Sequence, residues 1–338
     1  MPLSRRSCLP SLGAGHKFKH MDGPGDKQPL LRVAAVQAAP VFLNREATVA
    51  KAAGLVRQAA GNGAQLVVFP ESFIPCYPVW LWGGRAEVEV DAFARLYANA
   101  VEVPGTDTAC LSEAARTSGV ALAIGITERD STYSRGTLYN SLLVFDTGGE
   151  LVLHHRKLMP TYKERTVWGQ GDGSSLATVG LNGVRTGGLI CWENLMPLAR
   201  QALYAQGEQV HLAPTADTGA AWQASLRHIA YEGGVFVVSC CQVLHRAAYA
   251  DDPALAGFAA DAGWLITGGS AIVSPTGDCN YLAGPVYGEE TILYADLDLA
   301  RVEEAKHSFD VAGHYARPDV LELRINRTPQ APIQRMIS

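Results

Sequence analysis

The chain predicts an α/β fold, and three observations carry that expectation. Short β-type runs alternate with helix-like segments from Leu31 onward. Strand–helix pairs occur in both halves, which predicts two sheets with helices on their outer sides. No shift in composition divides the chain after residue 30, so most of its 338 residues are expected to form one domain.

Each element has a local reason. Leu31 to Gln37 is an apolar run that stops at Ala38-Ala39-Pro40. Asn44 is a capping residue for a helix over Arg45–Ala60, whose apolar face carries Val49, Ala52, Ala53, Val56 and Ala60. Gly61-Asn62-Gly63 ends it, and Gln65 to Phe69 has the continuous hydrophobicity of a buried strand. This β-α-β order favours parallel or mixed pairing.

An aromatic, proline-rich loop covers Phe73 to Gly84, and helices are expected over Asp91–Ala100 and Thr106–Ser118. Val120 to Thr127 is a strand. Leu138–Asp146 and Glu150–His155 form a hairpin across Thr147-Gly148-Gly149. A charged, glycine-rich loop follows from Lys157 to Ser175. Beyond it, strands are expected at Val184–Ile190, Val210–Leu212, Val235–Val243, Gly268–Ser274 and Thr291–Leu297. Helices are expected at Asn194–Ala205, Ala220–Tyr231 and Leu299–Lys306, with an irregular tail after them.

Composition narrows the function classes. Hydrophobic residues make up 48% and charged residues 18%, an ordinary globular balance. A net charge of −5 gives no electrostatic reason to expect nucleic acid or an acidic membrane surface. No apolar run reaches the length of a membrane span. Seven cysteines at irregular spacing, without a Cys-x-x-Cys pair, argue for reduced thiols, a cytoplasmic setting and no metal site. Residues 1–30 read as a disordered tail, or as a start misplaced ahead of Met21.

Cys191 is the leading candidate for chemistry. It ends the strand Val184–Ile190 and precedes a helical segment, where open α/β sheets bind ligands. Cys76, in the aromatic loop, is its rival. Cys240 and Cys241 read as core, and Cys110 as helix packing. A thiol nucleophile needs a base or a depressed pKa. No histidine has a compelling spacing. Glu71 ends its own strand and can converge with Cys191, although a solvated loop glutamate is an equal reading. Taken alone, Lys157 at the hairpin end is a surface lysine. Gly169-Gln170-Gly171-Asp172-Gly173 lacks the Gly-Lys-Ser/Thr ending of a phosphate loop and reads as a connector.

Taken together, Phe69-Pro70-Glu71-Ser72-Phe73, His155-Arg156-Lys157-Leu158-Met159-Pro160-Thr161 and Leu189-Ile190-Cys191-Trp192-Glu193-Asn194 resemble the three signatures of the nitrilase, or carbon–nitrogen hydrolase, superfamily. They stand in the family's order. The resemblance spans roughly residues 31 to 300, and Cys191-Trp192-Glu193-Asn194 followed by Met196-Pro197-Leu198 is similar to the nitrilase branch. It implies a four-layer αββα sandwich over residues 31–310 and a Glu71–Lys157–Cys191 triad with Glu164 as a second glutamate. It further implies hydrolysis of a nitrile to the acid and ammonia through a covalent thioimidate, without cofactor or metal. Trp192, Tyr77 and Trp168 are candidates for the substrate wall. Homo-oligomers, spiral forms included, are implied too, with the tail over 311–338 as a contact. An amidase or N-carbamoyl hydrolase would use the same triad, and an inactive oligomeric scaffold is the reading from another class.

Overall fold

A computed structural model describes residues 30–83, 86–278 and 280–331. The expected tail, Met1 to Pro29, lies outside them, as does the end of the C-terminal one. The N-terminal half forms β1 (Leu30–Gln37), α1 (Arg45–Gly61), β2 (Leu66–Val68), α2 (Ala86–Ala98), α3 (Thr106–Ser118), β3 (Ala121–Arg129), β4 (Leu138–Phe145) and β5 (Leu151–Arg156). The C-terminal half forms β6 (Val179–Leu181), β7 (Val184–Gly188), α4 (Pro197–Tyr204), β8 (Val210–Leu212), α5 (Ala220–Gly233), β9 (Phe236–Ser239), β10 (Val243–His245), β11 (Trp264–Val273), β12 (Tyr281–Tyr287), β13 (Thr291–Asp298) and α6 (Ala300–Ser308).

Two sheets result. One runs β13-β1-β2-β3-β4-β5; the other runs β10-β11-β9-β8-β7-β6, with β12 also paired to β11. The central strands β1, β2 and β3 are parallel, as are β7, β8 and β9. Alternation of side chains explains the layering. On β1, Leu31, Val33 and Ala35 enter a core shared with Val210, Leu212, Phe236 and Val238 of the other sheet. Ala34 and Val36 face the opposite way, onto Val49, Ala52 and Val56 of α1 and Leu111 and Ala115 of α3. Val237 of β9, with Val235 just before the strand, meets Trp222, Leu226 and Ile229 of α5 at the outer face. The architecture is therefore α, β, β, α, as the resemblance implied.

Several boundaries differ from expectation. Asn44 does cap α1, its side chain accepting from the Ala47 N–H at 3.0 Å. The run Val235–Val243 divides into two strands, because β9 and β10 flank opposite edges of β11. The segment expected as one helix from Asn194 instead begins as a 3-10 turn over Cys191–Leu195, and α4 starts at Pro197. Strands β6 and β12 were not expected. The chain after α6 is irregular, yet Leu323 and Ile325 pack on a cluster containing Leu176 and Leu189. No helix among the described residues is long and apolar enough to cross a membrane.

This topology places the three signatures at one edge. Strand β4 is antiparallel to β3, and β5 is antiparallel to β4, so β5 runs in the direction of β2. The residues after β2, β5 and β7 are Glu71, Lys157 and Cys191 in their respective turns.

Candidate active site

Glu71 lies in a turn folded down onto β3. That close approach requires glycine beneath it: a Cβ on Gly125 would fall 2.3 Å from the Pro70 carbonyl oxygen and 2.8 Å from the Glu71 Cα. The carboxylate is fully buried. Its Oε1 accepts from Lys157 Nζ at 2.7 Å and from Asn140 Nδ2 at 2.7 Å. Among the described residues its Oε2 has no hydrogen-bond partner.

Lys157 donates a second bond, of 2.8 Å, to Glu164 Oε2. The expectation of a surface lysine from its position alone is thus wrong: Lys157 is 0% exposed. Such burial requires paired charge, and two carboxylates supply it. Glu164 also accepts from Tyr77 OH at 2.8 Å and from the Thr161 N–H at 2.7 Å. Burial opposes the ammonium charge, but Glu71 and Glu164 prevail and hold the Lys157 pKa above its ordinary value. Glu71 goes the other way. Burial lifts its pKa most, Lys157 pulls it down, and Glu164 raises it again, leaving it above the usual carboxylate value.

Cys191 comes from the facing sheet. Its φ is +51°, a left-handed conformation uncommon outside glycine. The Cys191 N–H is fixed to the Pro214 carbonyl at 2.8 Å. The thiol is raised above its ordinary pKa, chiefly by burial and then by Glu71, with Lys157 opposing. Both burial and the neighbouring carboxylate thus favour the protonated thiol over the thiolate.

A cavity of about 480 Å³ opens over Cys191 and Glu164. Tyr77, Trp82, Trp192, Phe258, Leu265 and Ile266 give it a mainly apolar wall. Trp82 stacks with Tyr162 at its side, the ring planes 24° apart. Trp192 and Tyr77 therefore line the cavity. Trp168 does not; it is buried behind Tyr77, ring edge to face at 5.9 Å.

The remaining cysteines fit other descriptions. Cys76, the rival nucleophile, is buried among Phe42, Trp80 and Leu96. Burial raises its thiol pKa most, and its nearest charges are Asp252 and Arg95 rather than the cluster around Lys157. Cys240 and Cys241 are buried, whereas Cys110, expected to pack, is exposed.

Sequence reasoning missed several supporting residues. Glu193 is buried and accepts from the Ile190 N–H at 2.7 Å, the Leu158 N–H at 2.7 Å and His155 Nε2 at 3.0 Å. It staples the Cys191 turn to the end of β5. The signal was present in the three-residue spacing from Ile190 to Glu193, which is that of a capping box. Asn140 is a polar residue on a nearly all-buried strand, a pattern that itself points to a committed hydrogen bond. Thr215 follows β8 much as Cys191 follows β7, and its hydroxyl donates to Cys191 Sγ at 3.1 Å. Asn194 secures the same turn from below, donating to the carbonyls of Leu189 at 2.7 Å and Cys191 at 2.9 Å.

Comparison with known proteins agrees with this geometry. The sequence is 44% identical over 310 residues to an aliphatic nitrilase of Sinorhizobium fredii, covering 89% of this chain and 97% of that protein. It is 42% identical over 335 residues to a bifunctional nitrilase/nitrile hydratase of Nicotiana tabacum, covering 96% and 94%. Among solved structures, Nit3 of Saccharomyces cerevisiae, a member of branch 10 of the nitrilase superfamily, superposes with a TM-score of 0.68 at 22% identity, over 85% of this chain and 97% of that one. A carbon–nitrogen hydrolase of Helicobacter pylori gives 0.66 at 22% identity, over 86% and 96%; these two show the shared fold. The carbon-nitrogen hydrolase family model matches residues 32–307. With its fold, its buried Glu–Lys–Glu cluster facing a strained cysteine, and this match, the chain belongs to the carbon–nitrogen hydrolase family.

Proposed function

We propose that this protein hydrolyses organic nitriles to carboxylic acids and ammonia, with Cys191 as nucleophile. The observation that carries the reading is Glu71 itself: one carboxylate oxygen is locked by Lys157 and Asn140, and the other is buried and free to take a proton. The relatives named nitrilase, at 42–44% identity, support the nitrile over the amide as substrate. A mainly apolar cavity supports a neutral, hydrophobic nitrile.

In this reading Glu71 takes the Cys191 proton as sulfur attacks the nitrile carbon. The proton passes to nitrogen and a thioimidate forms. Lys157 and the Trp192 amide stabilise the charge that develops on nitrogen. Glu71 then deprotonates a water, which adds to the same carbon, and returns that proton to nitrogen; the new hydroxyl loses its proton to nitrogen as the C–N bond breaks, and ammonia leaves a thioester. A second water, activated likewise, breaks the C–S bond, releases the acid and returns the thiol. Glu164 holds Lys157 in place between two carboxylates. We assign residues 31–310 to the catalytic domain, and the chain after it to contacts between copies in a homo-oligomer working in the cytoplasm.

One further feature of the relatives bears on the outcome. Some are named nitrile hydratases as well, so release of amide from the tetrahedral intermediate is a second exit from the same site. The deciding assay sets phenylacetonitrile, an aliphatic dinitrile, a primary amide and cyanide side by side, with Cys191→Ala as control. The nitriles are expected to turn over fastest, yielding acid and ammonia, and the control to be inert. A primary amide consumed faster than either organic nitrile would overturn the reading, as would an active Cys191→Ala.

A further inference from the structure

Lys157 leaves a chemical problem at the sulfur. Its charge is shared between Glu71 and Glu164, both at hydrogen-bond distance, so the anion that forms on Cys191 is poorly compensated by this one cation. The charged groups acting on Cys191 include Glu71 and Glu164, which disfavour its anion, and Lys157, which favours it. Two of these three are acids. A neutral donor aimed at sulfur relieves this without adding charge.

Thr215 has the required geometry. It is fully buried, at the edge where β8 ends. Its N–H is fixed to the Cys240 carbonyl at 2.8 Å. Its hydroxyl oxygen accepts from the Asp217 N–H at 2.9 Å. With this donor on the oxygen, the hydroxyl's own proton is left to point to Cys191 Sγ, 3.1 Å away. Asp217 in turn receives the Trp192 indole N–H at 2.7 Å. Residues 191–192 and 214–217 are thus clasped at the sulfur, at the Cys191 backbone through Pro214, and at the cavity wall.

We infer that Thr215 is a further catalytic residue, whose hydroxyl donates to the Cys191 sulfur and selects its attacking rotamer. The inference rests on Cys191 being the nucleophile. No proton is transferred by Thr215. The thiol proton goes to Glu71 as the S–C bond forms, and Thr215 keeps its own. When the thioester C–S bond later breaks, the electron pair returns to sulfur and meets the same hydroxyl. The residue therefore acts on both the formation and the departure of the sulfur anion.

The test uses Thr215→Val, which keeps the volume, Thr215→Ala, and Thr215→Ser, which keeps the hydroxyl. Each is measured for nitrile hydrolysis and for iodoacetamide alkylation across pH, with the labelled cysteine located by mass spectrometry. Hydrogen bonds to charged groups imply a loss in kcat/KM of about ten-fold or more for Val and Ala, with an alkylation midpoint moved to higher pH. Ser is expected to restore most of both. A packing role alone would favour Val over Ser and leave the alkylation midpoint in place. Should Val fail to fold, the contrast between Ala and Ser reads the same quantity. Alkylation at Cys191 with an unmoved pH profile and undiminished kcat/KM in the hydroxyl-free variants overturns the role of Thr215 alone. Exposed Cys110 labels in every variant; protection by nitrile of a cysteine other than Cys191 in the wild type overturns the nucleophile reading with it.

Discussion

Replacing Lys157 by Met separates the charge of this residue from its volume. The substitution leaves Glu71 and Glu164 buried without their cation, at positions where the ammonium now sits 2.7 and 2.8 Å away. Breaking a buried pair in this way costs about 3–5 kcal/mol of stability. The cost should depend on pH with a definite sign. Glu71 already has a pKa above 4.5, because burial outweighs the lowering by Lys157. Removing the lysine removes that lowering, so the folded-state pKa climbs further above the unfolded one. A group raised on folding contributes its stability below the unfolded pKa and loses it as pH rises through the folded pKa. The slope is about 1.4 kcal/mol per pH unit for one carboxylate, and the two proteins diverge where Glu71 is ionised in the wild type but still protonated in the variant. Urea unfolding of both proteins from pH 5 to pH 9 measures it. The gap between Lys157→Met and wild type should widen above the wild-type Glu71 pKa until Glu71 ionises in the variant too. A gap that stays constant across this range would refute the argument that Lys157 compensates buried carboxylates. Nitrile turnover by the variant at pH 7 should fall at least about a hundredfold, on the scale of losing a charge-stabilising donor.

Other substitutions probe the supports. Glu193→Gln keeps the shape but replaces an ionised acceptor serving two backbone N–H groups and His155; a loss of about 1–3 kcal/mol at neutral pH, with reduced kcat, is expected from thermal unfolding and kinetics. Burial tends to raise the Glu193 pKa, but attraction to His155 and its hydrogen bonds bring it below 4.5. Its contribution is therefore present above the unfolded pKa and disappears as pH falls through the folded one, so the Gln variant should lose less stability on acidification than wild type does. Gly125→Ala drives a Cβ into the backbone of the Glu71 turn; overpacking of about 1–3 kcal/mol and a fall in kcat are expected, and unchanged kcat would show that the turn does not depend on this contact.

Much of the site was legible because its three principal residues each follow a strand whose apolar run is continuous. Cys191 could be singled out by position, Glu71 stood level with a solvated loop glutamate, and Lys157 needed the family resemblance: a lysine after a hairpin is ordinarily solvated, and only Glu71 and Glu164 make its burial tolerable. The supporting bonds were less legible because they join residues far apart in sequence, such as Asn140 with Glu71 and Thr215 with Cys191. Strand β12 was missed because Gly284 and Pro285 interrupt its pattern, and β6 because it spans three residues, Gly180 among them. Trp168 shows the limit of composition: a large aromatic serves a wall or a core equally well, and here Tyr77 occupies the wall in front of it.

Glu71 and Lys157 belong to one sheet, and Cys191 with Thr215 to the other. The reactive geometry is thus a measure of how two sheets are seated on each other. Near Cys191 this seating is tight: a Cβ on Gly188 would lie 2.9 Å from Leu212 Cβ and 3.1 Å from Leu142 Cδ2, the latter across the layer. Glu193 adds a polar tie across the same seam by gripping Leu158 and His155. A slip of one sheet by a fraction of an ångström would leave both layers folded while moving acid and thiol out of alignment. Substitutions in the inter-sheet core, well away from any substrate, are in this sense adjustments to the gap between Glu71 and Cys191.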